Sequence, residues 1–114
     1  MKGTHLGEFE EIILLLIGVL KENAYGLALV DAFEKQAGRR VAIGAVHSAL
    51  SRLGEKGFVD SEMTGATAER GGRRKRVFTI TAAGKRALLN ARDLRVSLWQ
   101  QIPDLAVGRL SFDV

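Results

Sequence analysis

The chain has 114 residues, 46% of them apolar, with 17 Lys and Arg against 13 Asp and Glu and a formal net charge of +4. That length suits one small-cored domain with an appended element, and the absence of cysteine excludes a disulfide framework, a thiolate metal site and a thiol nucleophile. The opening "MKGTHLGEFEE" turns acidic before any apolar run, unlike a secretory signal, and the apolar stretch Ile12 to Leu20 falls far short of the roughly 18 residues that span a bilayer, so a cytoplasmic location is expected.

The first predicted element is a helix over Leu6 to Glu22. Leu6, Phe9, Ile13, Leu16 and Leu20 mark one face, while Ile12, Leu14, Leu15, Ile17 and Val19 add a second. A helix apolar nearly all round is buried on more than one side, and in so short a chain the second side is expected to meet another copy. Asn23 is a suitable N-cap for a second helix over 24–37, with Leu27, Val30, Phe33 and Ala37 facing inward and Gly38 as its stop. A third helix follows in "IGAVHSALSRLGEKG", where Ile43, Val46, Leu50 and Leu53 form a single stripe. Its opposite face carries Gly44, Ala45, His47, Ser48, Ser51 and Arg52. Solvated helix faces usually favour Glu, Lys and Gln; small outward residues instead allow close approach to a flat or grooved partner.

Gly57 closes that helix. Strands are expected over Phe58 to Met63 and Arg76 to Ile80, paired as a hairpin around the long connection "TGATAERGGRRK". Thr81 is the N-cap expected for a last helix that runs to Pro103, with Ala87, Ala91, Leu94, Leu98 and Ile102 on one stripe. At about 1.5 Å per residue this is a rod near 30 Å long, too long to cover its stripe against so small a body, so a second subunit is expected on it. The tail 104–114 has no clear period.

The charge is unevenly placed. Arg70, Arg73, Arg74, Lys75 and Arg76 fall within one short loop, and without these five the chain has 12 cations against 13 acids. A near-neutral body with one cationic prong points to a directed contact with an anionic partner, though a solvated charge run has the same composition. The order helix, helix, helix, strand, basic loop, strand, helix is that of a winged helix-turn-helix, a mainly α (α+β) fold with one small hairpin. Residues 1–81 would form the DNA-binding domain with its wing and 82–103 a dimerisation helix. The third helix would enter the major groove. In the wing, Gly71 and Gly72 would let the backbone approach a phosphate strand while the cations neutralise it.

The sequence resembles the short subfamily of PadR-type bacterial transcriptional regulators. The residues that carry the likeness are "LGEFEEIILLLI", "AYGLALVDAFEKQAGRRV", "IGAVHSALSRLGEKGFV", "ERGGRRKRVFTIT" and "TAAGKRAL". The resemblance implies a homodimeric winged-helix binder of double-stranded DNA, usually a repressor, acting on a pseudo-palindromic operator. It places Tyr25 near the phosphate backbone, Gly44, Ala45, His47, Ser48 and Arg52 on the DNA-facing side of the recognition helix, and Gly71, Gly72, Arg73, Arg74, Lys75 and Arg76 in the wing. The chain departs from many such relatives at His47, where they carry tyrosine, and at Ala42, where a capping serine is common.

Duller roles compete for several of these residues. His47 is a base or phosphate contact or a bystander, and Tyr25 a phosphate contact or a core residue with its hydroxyl at the surface. Arg39 and Arg40 fit a backbone contact or a solvated turn. Trp99, the single tryptophan, fits dimer packing or, as in some members of the short subfamily, a stacking platform for a planar aromatic effector. No cofactor or metal is expected, since His5 and His47 have no third ligand to complete a site. An enzyme is not expected either: Ser48 and Ser51 near His47 lack an orienting group, and "GATAERGGRRK" lacks P-loop spacing. The alternative to a DNA-binding regulator is a winged-helix adaptor for an acidic protein.

Overall fold

The computed structural model describes residues 5–64 and 74–105. Helix α1, Glu8–Leu20, begins with Glu8, Glu10 and Glu11 in its first turn, where carboxylates complement the positive end of the helix dipole. Ile13, Leu14, Leu16 and Ile17 are all buried within the chain itself. The expected second face is therefore narrower than the composition suggests, and its uncovered members are Leu15 and Val19, the latter 63% exposed.

The chain then makes a 3-10 turn over Lys21–Asn23, with Lys21 at φ 53. Helix α2 is Gly26–Ala37, and its N-cap is Tyr25, not Asn23. Tertiary structure overrides the local capping signal here: Ala24 is fully buried, and its carbonyl accepts the N–H of Phe78 at 2.9 Å. The inward residues of α2 also differ from expectation. Leu29 and Phe33 are buried, whereas Leu27, two residues earlier and so about 200° round the helix, points outward, and Ala37 is exposed. Gly38 ends the helix in the left-handed conformation, φ 74, that suits glycine.

Helix α3, Ile43–Glu55, has Ala42 as its N-cap and no side-chain capping bond. The preceding turn is held instead by Glu34, whose carboxylate accepts the N–H of Val41 at 2.9 Å. Val46, Ala49, Leu50 and Leu53 are buried; Ile43, expected on the same stripe, is 38% exposed at the helix start. The core is the space between these three helices, closed by Phe58 and Val59 and bordered by the edge-on pair Phe9 and Phe33, 5.2 Å between centroids.

Strands β1, Val59–Thr64, and β2, Lys75–Ile80, pair antiparallel from Val59 opposite Ile80 to Thr64 opposite Lys75. Strand β1 is shifted by one residue at both ends from its expected bounds, and β2 begins one residue earlier. Helix α4, Ala82–Gln101, starts as the sequence indicates: Thr81 Oγ1 accepts the N–H of Gly84 at 3.0 Å. The same hydroxyl donates to the Gly57 carbonyl at 2.7 Å, and the Thr81 N–H donates to the carbonyl of Phe58 at 3.0 Å. A short 3-10 turn, Pro103–Leu105, follows α4.

Gly84 is the one buried residue of α4. A Cβ there would lie 2.3 Å from the Phe58 carbonyl oxygen and 2.9 Å from Ile80 Cγ2. Gly84→Ala gains about 1 kcal/mol of helix propensity, but the clash forces α4 away from the hairpin base, and overpacking costs about 1–3 kcal/mol. The variant is expected to unfold at lower urea concentration at matched protein concentration. A midpoint at or above that of the wild type would show that α4 is not seated there.

Candidate nucleic-acid interface

One face of the molecule is built by three elements that meet at His47. The small outward residues of α3, Gly44, Ala45, His47, Ser48 and Ser51, are all exposed, and nothing lies within 4 Å of a Cβ built on Gly44. His47 itself packs against the start of α2, where a Cβ on Gly26 would stand 3.2 Å from its Cε1. That glycine, not singled out in the sequence, lets the start of α2 lie close against α3. Its only sequence signal is its place directly after Tyr25.

Two open grooves flank His47. The first, about 470 Å³, is lined by Tyr25, Gly26, Leu27, Ile43, Lys75 and Arg76 together with His47 and Phe78. The second, about 330 Å³, runs between α3 and the hairpin past Ser51, Gly54 and Ser61. No acidic side chain among the described residues lines either. Lys75 places its ammonium 4.2 Å from the centroid of the Tyr25 ring, a cation–π contact worth about 0.5–1 kcal/mol at an exposed site. Arg76 donates to Ser61 Oγ at 3.0 Å, which steadies it on the hairpin, and Arg74 is exposed. Of the expected residues, Tyr25, His47, Lys75 and Arg76 thus line one groove, Gly44, Ala45 and Ser48 are exposed on α3, and Arg74 is exposed directly before β2. Gly71, Gly72 and Arg73, with Arg70, lie outside the described residues.

Arg52 has a different setting from the rest. Its Nε donates to Glu10 Oε2 at 2.6 Å, and Lys56 Nζ donates to the other oxygen of the same carboxylate at 2.6 Å. Lys56 also donates to the carbonyl of His5. Arg52 therefore braces α3 against α1, with half of its side chain still exposed. Glu10 is not among the residues expected from the sequence; its signal there is an acid set inside the apolar pattern of α1. The next residue, Glu11, accepts from Arg95 of α4.

Burial of the Glu10 carboxyl acts to raise its pKa, but the hydrogen bonds and positive charges of Lys56 and Arg52 outweigh it, and the pKa lies below its ordinary value of 4.5. A folded-state pKa below the unfolded one means the carboxylate contributes stability above the ordinary value and loses it as pH falls through the folded value. Glu10→Gln is accordingly expected to be less stable than the wild type at neutral pH, with the gap narrowing as pH is lowered below about 4.5. Urea midpoints measured for both proteins from neutral to acidic pH test this; a gap independent of pH would remove the ion pair as its cause.

A three-helix body with a hairpin wing beside its third helix, and cations on that wing, defines a winged helix-turn-helix protein. A family model described as the transcriptional regulator PadR-like family matches residues 14–90, and the chain belongs to that family. It is a regulator rather than an enzyme. Similar solved structures include a PadR-like transcription factor from Bacteroides fragilis, 23% identical over 86% of this chain and 89% of that one, with a TM-score of 0.70. A PadR-family regulator from Eggerthella lenta is 23% identical over 86% of this chain and 85% of that one, TM-score 0.64. Bacillus subtilis PadR, solved in complex with operator DNA, is 18% identical over 77% of this chain and 48% of that one, TM-score 0.61. Among curated proteins none matches the sequence.

Proposed function

We propose that the chain is a homodimeric, cytoplasmic repressor that binds double-stranded DNA at a pseudo-palindromic operator. The observation that carries this reading is the convergence of Tyr25, His47, Lys75 and Arg76 on one groove beside the open, small-residue face of α3. A helix with such a face approaches the floor of a major groove closely, and the flanking cations meet phosphates, whose released counterions supply much of the affinity. Family membership and the operator DNA in the complex of the Bacillus subtilis relative support DNA as the partner. Arg73 would add to the cations of the wing and Gly71 and Gly72 would allow close approach to a phosphate strand, and the half-exposed Arg52 would reach phosphate only with the nitrogens that Glu10 leaves free.

The triple variant Arg74→Ala, Lys75→Ala, Arg76→Ala should weaken binding to every duplex. It should also flatten the dependence of log affinity on log salt by roughly 0.9 for each phosphate no longer neutralised. Anisotropy titrations at several salt concentrations, on duplexes selected by the protein from a random pool, measure both effects. Wild-type protein that selects no duplex while retaining an acidic protein from nuclease-treated extract would favour the adaptor reading instead. Full affinity and slope in the triple variant would remove the wing from the interface.

The dimer reading rests on α4 and α1. Leu94, Leu98, Trp99 and Ile102 are between 40% and 61% exposed, so the apolar stripe of α4 is left largely uncovered by the chain itself. Beside them an open concavity of about 680 Å³, floored by Leu6, Phe58, Ala87 and Leu94, offers a seat for the same helix of a second copy. Trp99, with Arg95, Leu98 and Ile102 around it, packs in this interface; a planar aromatic effector would stack on the same ring. Leu94→Glu with Leu98→Glu is expected to give a folded monomer by sedimentation velocity where the wild type is a dimer, with operator affinity largely abolished. A wild type that sediments as a monomer at micromolar concentration would overturn the dimer.

A further inference from the structure

The exposed face of α3 is poor in the side chains that read bases by paired hydrogen bonds. It has no Asn, Gln or Lys, and its one arginine, Arg52, donates Nε to the carboxylate of Glu10. Bidentate recognition of guanine or adenine edges needs Arg, Lys, Asn or Gln. Over the first turn of α3, the part of a recognition helix that meets base edges, the outward residues are Ile43, Gly44 and Ala45, none of which has a polar side chain. The base-edge feature in the major groove that an apolar side chain recognises is the 5-methyl group of thymine.

We propose that Ile43 is a specificity-determining residue that contacts a thymine 5-methyl group in each half-site, an inference that rests on the DNA-binding reading above. Three observations carry it. Ile43 is 38% exposed although it continues the buried stripe of α3. It opens on the same groove as Tyr25, His47 and Lys75, so its free side faces where the duplex would lie. Its Cδ1 rests beside the start of α2, 3.4 Å from the place a Cβ would take on Gly26, and a β-branched side chain held on one flank has little rotamer freedom left to lose. Leu27, 67% exposed on the other lip of the groove, extends the apolar surface toward the sugar edge. Gly44 and Ala45 are too short to obstruct the approach of the base pair.

Deoxyuridine differs from thymidine by that methyl group alone, so it tests the contact directly. The full chain first selects its best duplexes from a random pool. Each thymine is then replaced singly by deoxyuridine, and affinities are measured for the wild type, Ile43→Val and Ile43→Ala. For the wild type, replacement at one thymine per half-site should weaken binding by about fourfold, the equivalent of one buried methyl group. Ile43→Ala should bind the thymine duplex more weakly and be indifferent to the replacement, with Ile43→Val between the two. Ile43→Val keeps the branched shape and is the folded control should Ile43→Ala unfold. A wild type indifferent to every replacement overturns the proposal, as does a sensitivity that persists unchanged in both variants. Failure to select any duplex would sink the DNA-binding reading and this inference together, whereas selection without dependence on the methyl group sinks only the inference.

Discussion

The use of this molecule as a reader of DNA depends on one constraint: the hairpin must stand at a fixed distance from α3. Two backbone hydrogen bonds supply it. Phe78 donates to the carbonyl of Ala24, in the connection between α1 and α2, and Thr81 donates to the carbonyl of Phe58, just after α3. The first joins β2 to the start of the α2–α3 pair, and the second joins the foot of the hairpin to the start of α4. Both lie between segments far apart in sequence, and the burial of Ala24 and Phe58 limits competition from water. With the hairpin so held, Lys75 reaches the face of Tyr25 and Arg76 stays beside His47, and a cationic edge accompanies α3 at constant spacing.

A second brace acts from below. Glu10 and Glu11 are neighbours on α1, and one takes Arg52 and Lys56 near the end of α3 while the other takes Arg95 of α4. The helix proposed to read DNA and the helix proposed to form the dimer interface are thereby referred to the same turn of α1. Glu10 is the costlier partner, since it is 7% exposed, and a buried carboxylate is stable only with its cations and hydrogen bonds in place. Exposed pairs such as Asp31 with Lys35 contribute far less. The ion cluster that matters most to the fold therefore bears on the orientation of α3.

Much of the fold was legible in the sequence because local chemistry and tertiary structure agree there. Thr81 caps α4, Gly38 stops α2, and the period of Val46, Leu50 and Leu53 faces the core as its spacing requires. The failures share one cause. Asn23 has the chemistry of an N-cap, yet α2 starts at Gly26 because the Ala24 carbonyl is claimed by β2, a bond no local pattern announces. Leu27 is apolar and so reads as inward, yet the core takes Leu29 and Phe33, and Leu27, about 200° round the helix from Leu29, lies on the rim of the groove. The candidate site was legible as a set of residues but not as a geometry. Small outward residues and clustered cations can be read from the chain, whereas the Tyr25–Lys75 contact and the commitment of Arg52 to Glu10 join segments that only folding brings together.

These two departures have a common consequence for recognition. If Arg52 were free and Leu27 buried, α3 would carry a long cationic reader flanked by a closed α2, and hydrogen bonding to guanine would dominate. As folded, Arg52 in the last turn of α3 is paired with Glu10, Lys75 and Arg76 of the hairpin line the groove, and the first turn of the helix is apolar and small. Phosphate attraction has no sequence information of its own, so in the proposed complex a cationic wing and a neutral reading helix would divide the labour: the wing would set how tightly any duplex is held, and the shape and methyl pattern of the groove floor which one. Discrimination would then depend on how close α3 can approach, a distance that Gly26, Gly44 and Ala45, by having almost no side chain, would set.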